Sequence, residues 1–293
     1  MKRLGLLVLF LVAACGSVGA QAQTIALAYK AGDTYKYALH MVLKYTVAAS
    51  SMSIPLNLDI SAKETATVKS VDSDGTAELS LAISDVSMKA TMNGTTNTTT
   101  TTTTNTVEIK IAKDGRVISV NGNAFGNNAL PGISGTQGGV VSAILPDHPV
   151  KPGDTWTKSY DVPNPLGTGS IHATSDNTYL RDDTVGGVKS AVVESKVNTS
   201  LNMNLDLGSM LGASGTTSPT TGSSAGSLTM TGTSKSDTTS WIDVSGHRIV
   251  QTRSTGTVDA TLTVTAPPGT ATTPGLTGPI TLKGTQTLDL TPA

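Results

Sequence analysis

The sequence predicts an all-β protein built from long antiparallel hairpins in two homologous halves, forming a barrel-like or curved-sheet body. Three observations carry that expectation. Apolar residues recur at every second position over long stretches, glycine-bearing turn pairs separate those stretches, and one turn-and-strand motif occurs twice.

The repeated motif is Tyr29-Lys30-Ala31-Gly32-Asp33-Thr34-Tyr35-Lys36, which returns as Val150-Lys151-Pro152-Gly153-Asp154-Thr155-Trp156-Thr157. Gly32 and Gly153 mark turn corners, and Tyr35 and Trp156 are the first inward side chains of the strands that follow. Asp33 and Asp154 are expected to accept hydrogen bonds from nearby backbone amides rather than to act as ligands or acids.

After the first copy, Tyr35, Tyr37, Leu39, Met41, Leu43, Tyr45 and Val47 alternate with polar residues, which gives a long strand with one buried face. Ile54, Leu56, Leu58 and Ile60 repeat the pattern, as do Ala77, Leu79, Leu81 and Ile83. The phase then slips to Val86, Met88, Ala90 and Met92, which predicts a β-bulge near Asp85. In the second half, Val197, Leu201, Met203, Leu205 and Leu207 share a face, and so do Val258, Ala260, Leu262 and Val264. Asp74-Gly75, Asp114-Gly115, Gly186-Gly187 and Ser245-Gly246 separate strand-like runs, with glycine supplying the positive φ of tight hairpins.

The expected organisation is a signal peptide over 1–22, a first β-rich half over 23–136 and a second over 137–293. A short helix near 138–145, ended by Pro146, would bridge the halves. The Gly/Ser/Thr-rich stretch 208–226 reads as a flexible insertion. The Thr/Asn stretch 95–106 has two readings, a strand with hydroxyls on both faces or a loop. An edge strand is expected near 280–290. One sheet-rich unit and two abutting barrels both fit this pattern. A membrane-spanning barrel fits less well, because aromatic girdles are missing.

Met1-Lys2-Arg3, the apolar run 4–14 and the small residues leading to Ala20-Gln21-Ala22 form a secretory signal, so the protein is expected to be exported. The single cysteine, Cys15, ends Leu11-Val12-Ala13-Ala14-Cys15, which looks like a lipobox with a lipoprotein signal over 1–14. Cleavage near Ala20 or Ala22, which discards Cys15, is the competing reading. Under either reading the mature chain has no internal disulfide. Periplasmic, envelope-anchored and secreted destinations are all compatible, with the membrane reached only through an N-terminal lipid.

Without Lys2 and Arg3 the chain carries 18 basic against 21 acidic residues, a net charge of −3. That balance argues against nucleic acid or a strongly anionic membrane as main partner. Aromatic residues make up only 3% of the chain, so its core must rest on aliphatic side chains, methionine and a few tyrosines.

Motifs that carry chemistry are weak here. Gly222-Ser223-Ser224-Ala225-Gly226 matches a hydrolase elbow in letters but lies in low-complexity sequence with no helix after it. Asp72-Ser73-Asp74-Gly75 lacks the flanking acids of a calcium loop, with Ser70 and Leu81 in their places, and reads as a hairpin turn. His40, His148, His172 and His247 show no metal-ligand spacing. No catalytic, cofactor-binding or metal residues are assigned, and no cofactor is expected. Asn93, Asn97 and Asn198 begin glycosylation sequons that are incidental behind a bacterial signal.

The segment Leu145-Pro146-Asp147-His148-Pro149-Val150-Lys151-Pro152-Gly153-Asp154-Thr155-Trp156 resembles a signature of an uncharacterised family of bacterial exported or lipid-anchored proteins. Lys30 to Tyr35 followed by Val71-Asp72-Ser73-Asp74-Gly75, and Trp241-Ile242-Asp243-Val244-Ser245-Gly246, resemble it in two further places. The resemblance implies an all-β envelope protein and supplies no activity. Long hairpins behind an export signal are also similar, at the level of fold, to periplasmic lipoprotein carriers and mycobacterial lipid-binding lipoproteins. The expectation is therefore a non-enzymatic envelope protein that binds a lipid or other apolar ligand. A structural or protein-interaction module is the alternative.

Overall fold

The structure, a computed structural model, describes residues 21–49, 52–121, 143–163, 167–206, 227–265 and 279–293. Within them, alternation resolves into twelve strands: β1 (Thr34–Ala49), β2 (Met52–Val71), β3 (Ala77–Met92), β4 (Thr95–Thr101), β5 (Asn105–Ile111), β6 (Val117–Asn121), β7 (Thr155–Pro163), β8 (Gly167–Val185), β9 (Val188–Asp206), β10 (Ser227–Asp243), β11 (Arg248–Thr265) and β12 (Ile280–Pro292). They form one antiparallel sheet in the order β6-β5-β3-β2-β1-β12-β11-β10-β9-β8-β7, with β4 also on β3. No pairing joins β6 to β7 among the described residues, so the sheet is open and is neither a closed barrel nor two barrels.

The order contains two equivalent meanders, β1-β2-β3-β5-β6 and β7-β8-β9-β10-β11. Their backbones repeat bond for bond at the duplicated motif. Gly32 N–H donates to Val68 O (2.8 Å), Asp33 N–H to Lys30 O (3.1 Å) and Val68 N–H to Asp33 O (2.9 Å). Gly153 N–H donates to Tyr179 O (2.7 Å), Asp154 N–H to Lys151 O (3.0 Å) and Tyr179 N–H to Asp154 O (3.0 Å). Both glycines need positive φ, 91° and 96°, which a side chain disfavours. The register also slips just after Val68 in one meander and just after Tyr179 in the other.

Three sequence expectations change in detail, and one left open is decided. The strand at 280–290 is not an edge: β12 lies between β1 and β11 and joins the meanders, because each leaves one unpaired ladder there. Residues 138–142 of the expected helix lie outside the described residues. Ala143 to Leu145 are not helical; they are buried, and Leu145 N–H bonds to Asp114 O (2.8 Å) on a neighbouring turn. At Ser245-Gly246 the positive φ falls on His247 (51°), while Gly246 leaves room for the Asp243 carboxylate. The Thr/Asn stretch is β4, a strand exposed on both faces, followed by a break at 102–104. Asn93 and Gly94, both with positive φ, make the tight hairpin before it.

The bulge near Asp85 is present. Ser61 faces Ser87 and Lys63 faces Ser84, so β3 holds one extra residue, and Asp85 has φ 50°. The insertion 208–226 and the leader up to residue 20 lie outside the described residues.

The sheet curls so that its inward side chains meet. Ile25, Leu27, Tyr37, Leu43, Ile60, Ile83, Ile111, Tyr179, Ile242 and Leu290 belong to one core drawn from both meanders. Tyr37 reaches across to donate its hydroxyl to Ile249 O (2.7 Å). The segment before β1 closes this end: Leu27 N–H bonds Lys113 O and Ala28 N–H bonds His247 O, each at 2.9 Å. Gln23 pairs with Val150, which ties the segment before β1 to the segment before β7. Lys158 Nζ then ties β7 to the β5–β6 turn through Asp114 Oδ2 (2.9 Å) and to Asp147 (2.8 Å). Burial pushes the Asp114 carboxyl up, but the hydrogen bonds from Lys158 and Arg116 outweigh it and hold it below the usual range. We call this end the base and the opposite end the rim.

Candidate ligand-binding face

The inward face has three regions, each set by which residues fall on the buried phase of the strands. Near the base of the first meander it is apolar with one exception. Glu64 sits among Ile60, Ala62, Ala66 and Val68 on the inward phase of β2, opposite Tyr37 on β1 and Ile83 on β3. It is 2% exposed, and its Oε2 has no hydrogen-bond partner among the described residues. Beside it lies a cavity of about 20 Å³, lined by Tyr29, Tyr35, Tyr37 and aliphatic side chains. That is room for roughly one water. Burial raises the Glu64 carboxyl to about 8, so it is mostly protonated at neutral pH. Sequence reasoning passed over Glu64, although a charged residue in phase with Ile60 and Val68 was the available signal.

In the second meander several of the equivalent inward positions are small and polar, although Ala173, Tyr179, Val193 and Val197 stay in the core. Ala66, Leu81 and Val107 stand side by side across β2, β3 and β5. Counting from the duplicated motif and the matching β5 and β10 turns, their counterparts are Asn177, Ser195 and Thr238 across β8, β9 and β10. Ser254 on β11 extends that row. Ser175 occupies the place of Glu64, and Ser240 and Thr252 fill the next row toward the base.

Toward the rim the face is apolar again and opens to solvent. Tyr45, Leu56, Met88 and Ala90 pack on the first core while only partly buried. Met52 and Met92, on the same phase, are 56% and 52% exposed. On the other meander Ile171, Leu201, Met203, Met230 and Ala260 form a separate apolar cluster with Val258 and Leu262 against it. Between them a side chain at Gly284 would collide with the Tyr45 ring and the Lys44 carbonyl, so glycine lets β1 and β12 approach there.

The duplicated motif residues do not converge on this face as a site. Tyr35 and Trp156 are buried as inward residues, at 9% and 8% exposure. Tyr35 donates to Asp33 Oδ2 (2.9 Å), and burial, with that bond, lifts its hydroxyl to about 12. Trp156 Nε1–H donates to Ile144 O (3.1 Å). Asp154 Oδ2 accepts from Lys151 N–H (3.0 Å), as expected, whereas Asp33 takes the tyrosine hydroxyl instead. Cys15 and the Gly222–Gly226 stretch lie outside the described residues.

The Asp72 to Gly75 segment is a hairpin turn, with Thr76 N–H on Asp74 Oδ1 (2.9 Å). Among the described residues no group of three or more His, Cys, Asp or Glu is placed to hold a metal ion.

One cluster has the connectivity of a hydrolytic triad. Ser159 Oγ lies 3.2 Å from His172 Nε2, and His172 Nδ1 lies 2.8 Å from Asp161 Oδ1. All three sit on the outward face of β7 and β8, and their neighbours Thr157, Thr174 and Asp176 are exposed too. Such a flat, wet setting lacks the dry pocket and aimed donors that acyl transfer requires. Cross-strand polar pairing accounts for the geometry.

No family model and no curated protein matches this chain. Among solved structures it is similar to DynF from the dynemicin biosynthesis pathway of Micromonospora chersina, with 6% identity over 94% of this chain and 90% of that one. The TM-score is 0.24, too low to carry an argument about fold or function.

Proposed function

We propose that this is a non-enzymatic, exported cell-envelope protein that holds an apolar ligand, such as a lipid chain, against the inward face of its curved sheet. The observation that carries the reading is that this face stays apolar past the enclosed core and out to the open rim. Leu56, Met88 and Tyr45 are half-buried there, and Met52 and Met92 are exposed in phase with them. An inward apolar lining that is left open marks a binding surface. Methionine suits a flexible chain because its unbranched side chain adapts to varied shapes.

Export rests on the N-terminal signal, and the resemblance to exported and lipid-anchored proteins supports the same placement. Native mass spectrometry of the purified protein is expected to show a co-purified lipid that organic extraction removes. A clean apo mass in repeated preparations, with no lipid taken up on addition, would leave the alternative, a structural or protein-interaction module of the envelope.

A further inference from the structure

We infer that the inward row Asn177, Ser195, Thr238 and Ser254 is a subsite for an uncharged, hydroxyl-bearing group of an amphiphilic ligand. This rests on the apolar-ligand reading and narrows its class. The row runs straight across four adjacent strands. It is graded in depth: Asn177 and Ser195 are 1% and 3% exposed, whereas Thr238 and Ser254 are half-buried and their hydroxyls pair with each other at 2.8 Å.

Two buried atoms in it lack partners among the described residues, Asn177 Oδ1 and Ser195 Oγ. The amide of Asn177 is oriented, because its Nδ2 donates to Trp156 O (3.1 Å), Ser175 O (3.2 Å) and Ser175 Oγ (3.1 Å). Its acceptor oxygen is therefore left facing away from those groups. A buried acceptor beside a buried hydroxyl is costly unless something bonds to both. A ligand hydroxyl can donate to the first and accept from the second.

The first meander supplies an internal control. At the same three places it has Ala66, Leu81 and Val107, all buried and aliphatic, so this backbone packs solid when it needs no polar lining. The class of ligand group follows from charge. From this row to the rim the inward positions of β8 to β12 carry no charged side chain; nearer the base Asp182 takes the Tyr179 hydroxyl, Arg248 pairs with Asp243, and Lys158 on β7 is held by Asp114 and Asp147. A carboxylate, phosphate or ammonium would be buried there without a countercharge, which is strongly unfavourable. The apolar part of the amphiphile would lie on the Met203, Met230 and Ala260 cluster rimward of the row.

The test compares three probes on the full-length protein by calorimetry: 1-monoolein, methyl oleate and oleate. Monoolein is expected to bind about tenfold more tightly than methyl oleate, the effect of one well-made buried hydrogen bond, and more tightly than ionised oleate. Asn177→Ala with Ser195→Leu installs first-meander residues and should bring the monoolein preference close to one while methyl oleate still binds. Ser195→Ala, a smaller change, should lower the preference several-fold and keep the melting curve cooperative. Equal binding of monoolein and methyl oleate by the unmodified protein, or an undiminished preference in Ser195→Ala, overturns the subsite. Oleate binding as tightly as monoolein overturns its uncharged character. If none of the probes binds, the apolar-ligand reading itself falls and the subsite with it.

Discussion

The two meanders share a backbone and differ in what they put inside it. Where the first places Ala66, Leu81 and Val107, the second places Asn177, Ser195 and Thr238. Where the first buries Glu64, the second has Ser175, and Tyr37 of the first corresponds to Lys158 of the second. The turn bonds of Gly32 and Gly153 and the matching register slips survive this exchange. Backbone turns and apolar anchors at the base therefore suffice to set the shape, which leaves the rest of the inward face free to diverge.

Deleting 280–293 should have the largest effect. It strips β12 from between β1 and β11 and exposes two sheet edges, so cooperative unfolding by circular dichroism should vanish and the protein should aggregate. A folded monomer after the deletion would show that each meander stands alone. Leu290→Ala, at a fully buried position on the same strand, should cost about 2–5 kcal/mol.

Glu64 should give the first meander a pH dependence that Ser175 cannot give the second. Its folded value, about 8, lies above the ordinary 4.5 of an unfolded glutamate. The stability tied to its protonated form is therefore fully present below 4.5, declines as pH rises toward 8 and is level above that. The loss is on the order of 4–5 kcal/mol by the energy of each pKa unit. Urea denaturation of Glu64→Gln at pH 5 and pH 8.5 should show a much flatter response than the unmodified protein. An equally steep response would place the dependence on other groups.

Equivalent truncations should then separate the meanders. Leu81→Ala removes a packed core side chain and should cost about 2–5 kcal/mol. Ser195→Ala at the matching place removes a hydroxyl with no partner, so the ligand-free protein should change by no more than about 0.5 kcal/mol or gain stability. Similar costs at both places would mean the serine is bonded and structural.

The most local of these effects concerns the tie across the open edges. Lys158→Met leaves Asp114 with Arg116 as its remaining cation and should cost about 1–3 kcal/mol. Hydrogen exchange should quicken at Leu145 and Trp156, which flank that tie, and stay unchanged at Glu64 on β2. Uniform exchange throughout would mean the latch does not hold the edges.

Much of this was decided by local sequence. Tyr35 to Val47 and Ile54 to Ile60 read as strands because side chains alternate with period two, and the slip at Asp85 read as a bulge because one extra residue flips that phase. Gly32 and Gly153 announced turns because positive φ is cheap only for glycine. Other features depended on partners distant in the chain. Ile280 to Leu290 looked like any short strand, and only two unmatched ladders on β1 and β11 made it central. Leu145 looked helical by composition, yet the carbonyl of Asp114 captured its N–H. Glu64 is a single polar letter on an otherwise apolar phase and Asn177 one letter in the polar run 174–178, and the meaning of each came from the sheet curling until both were sealed from water. Periodicity and turn chemistry act between neighbours and can be read along the chain, whereas burial and desolvation exist only once distant strands have closed around a side chain.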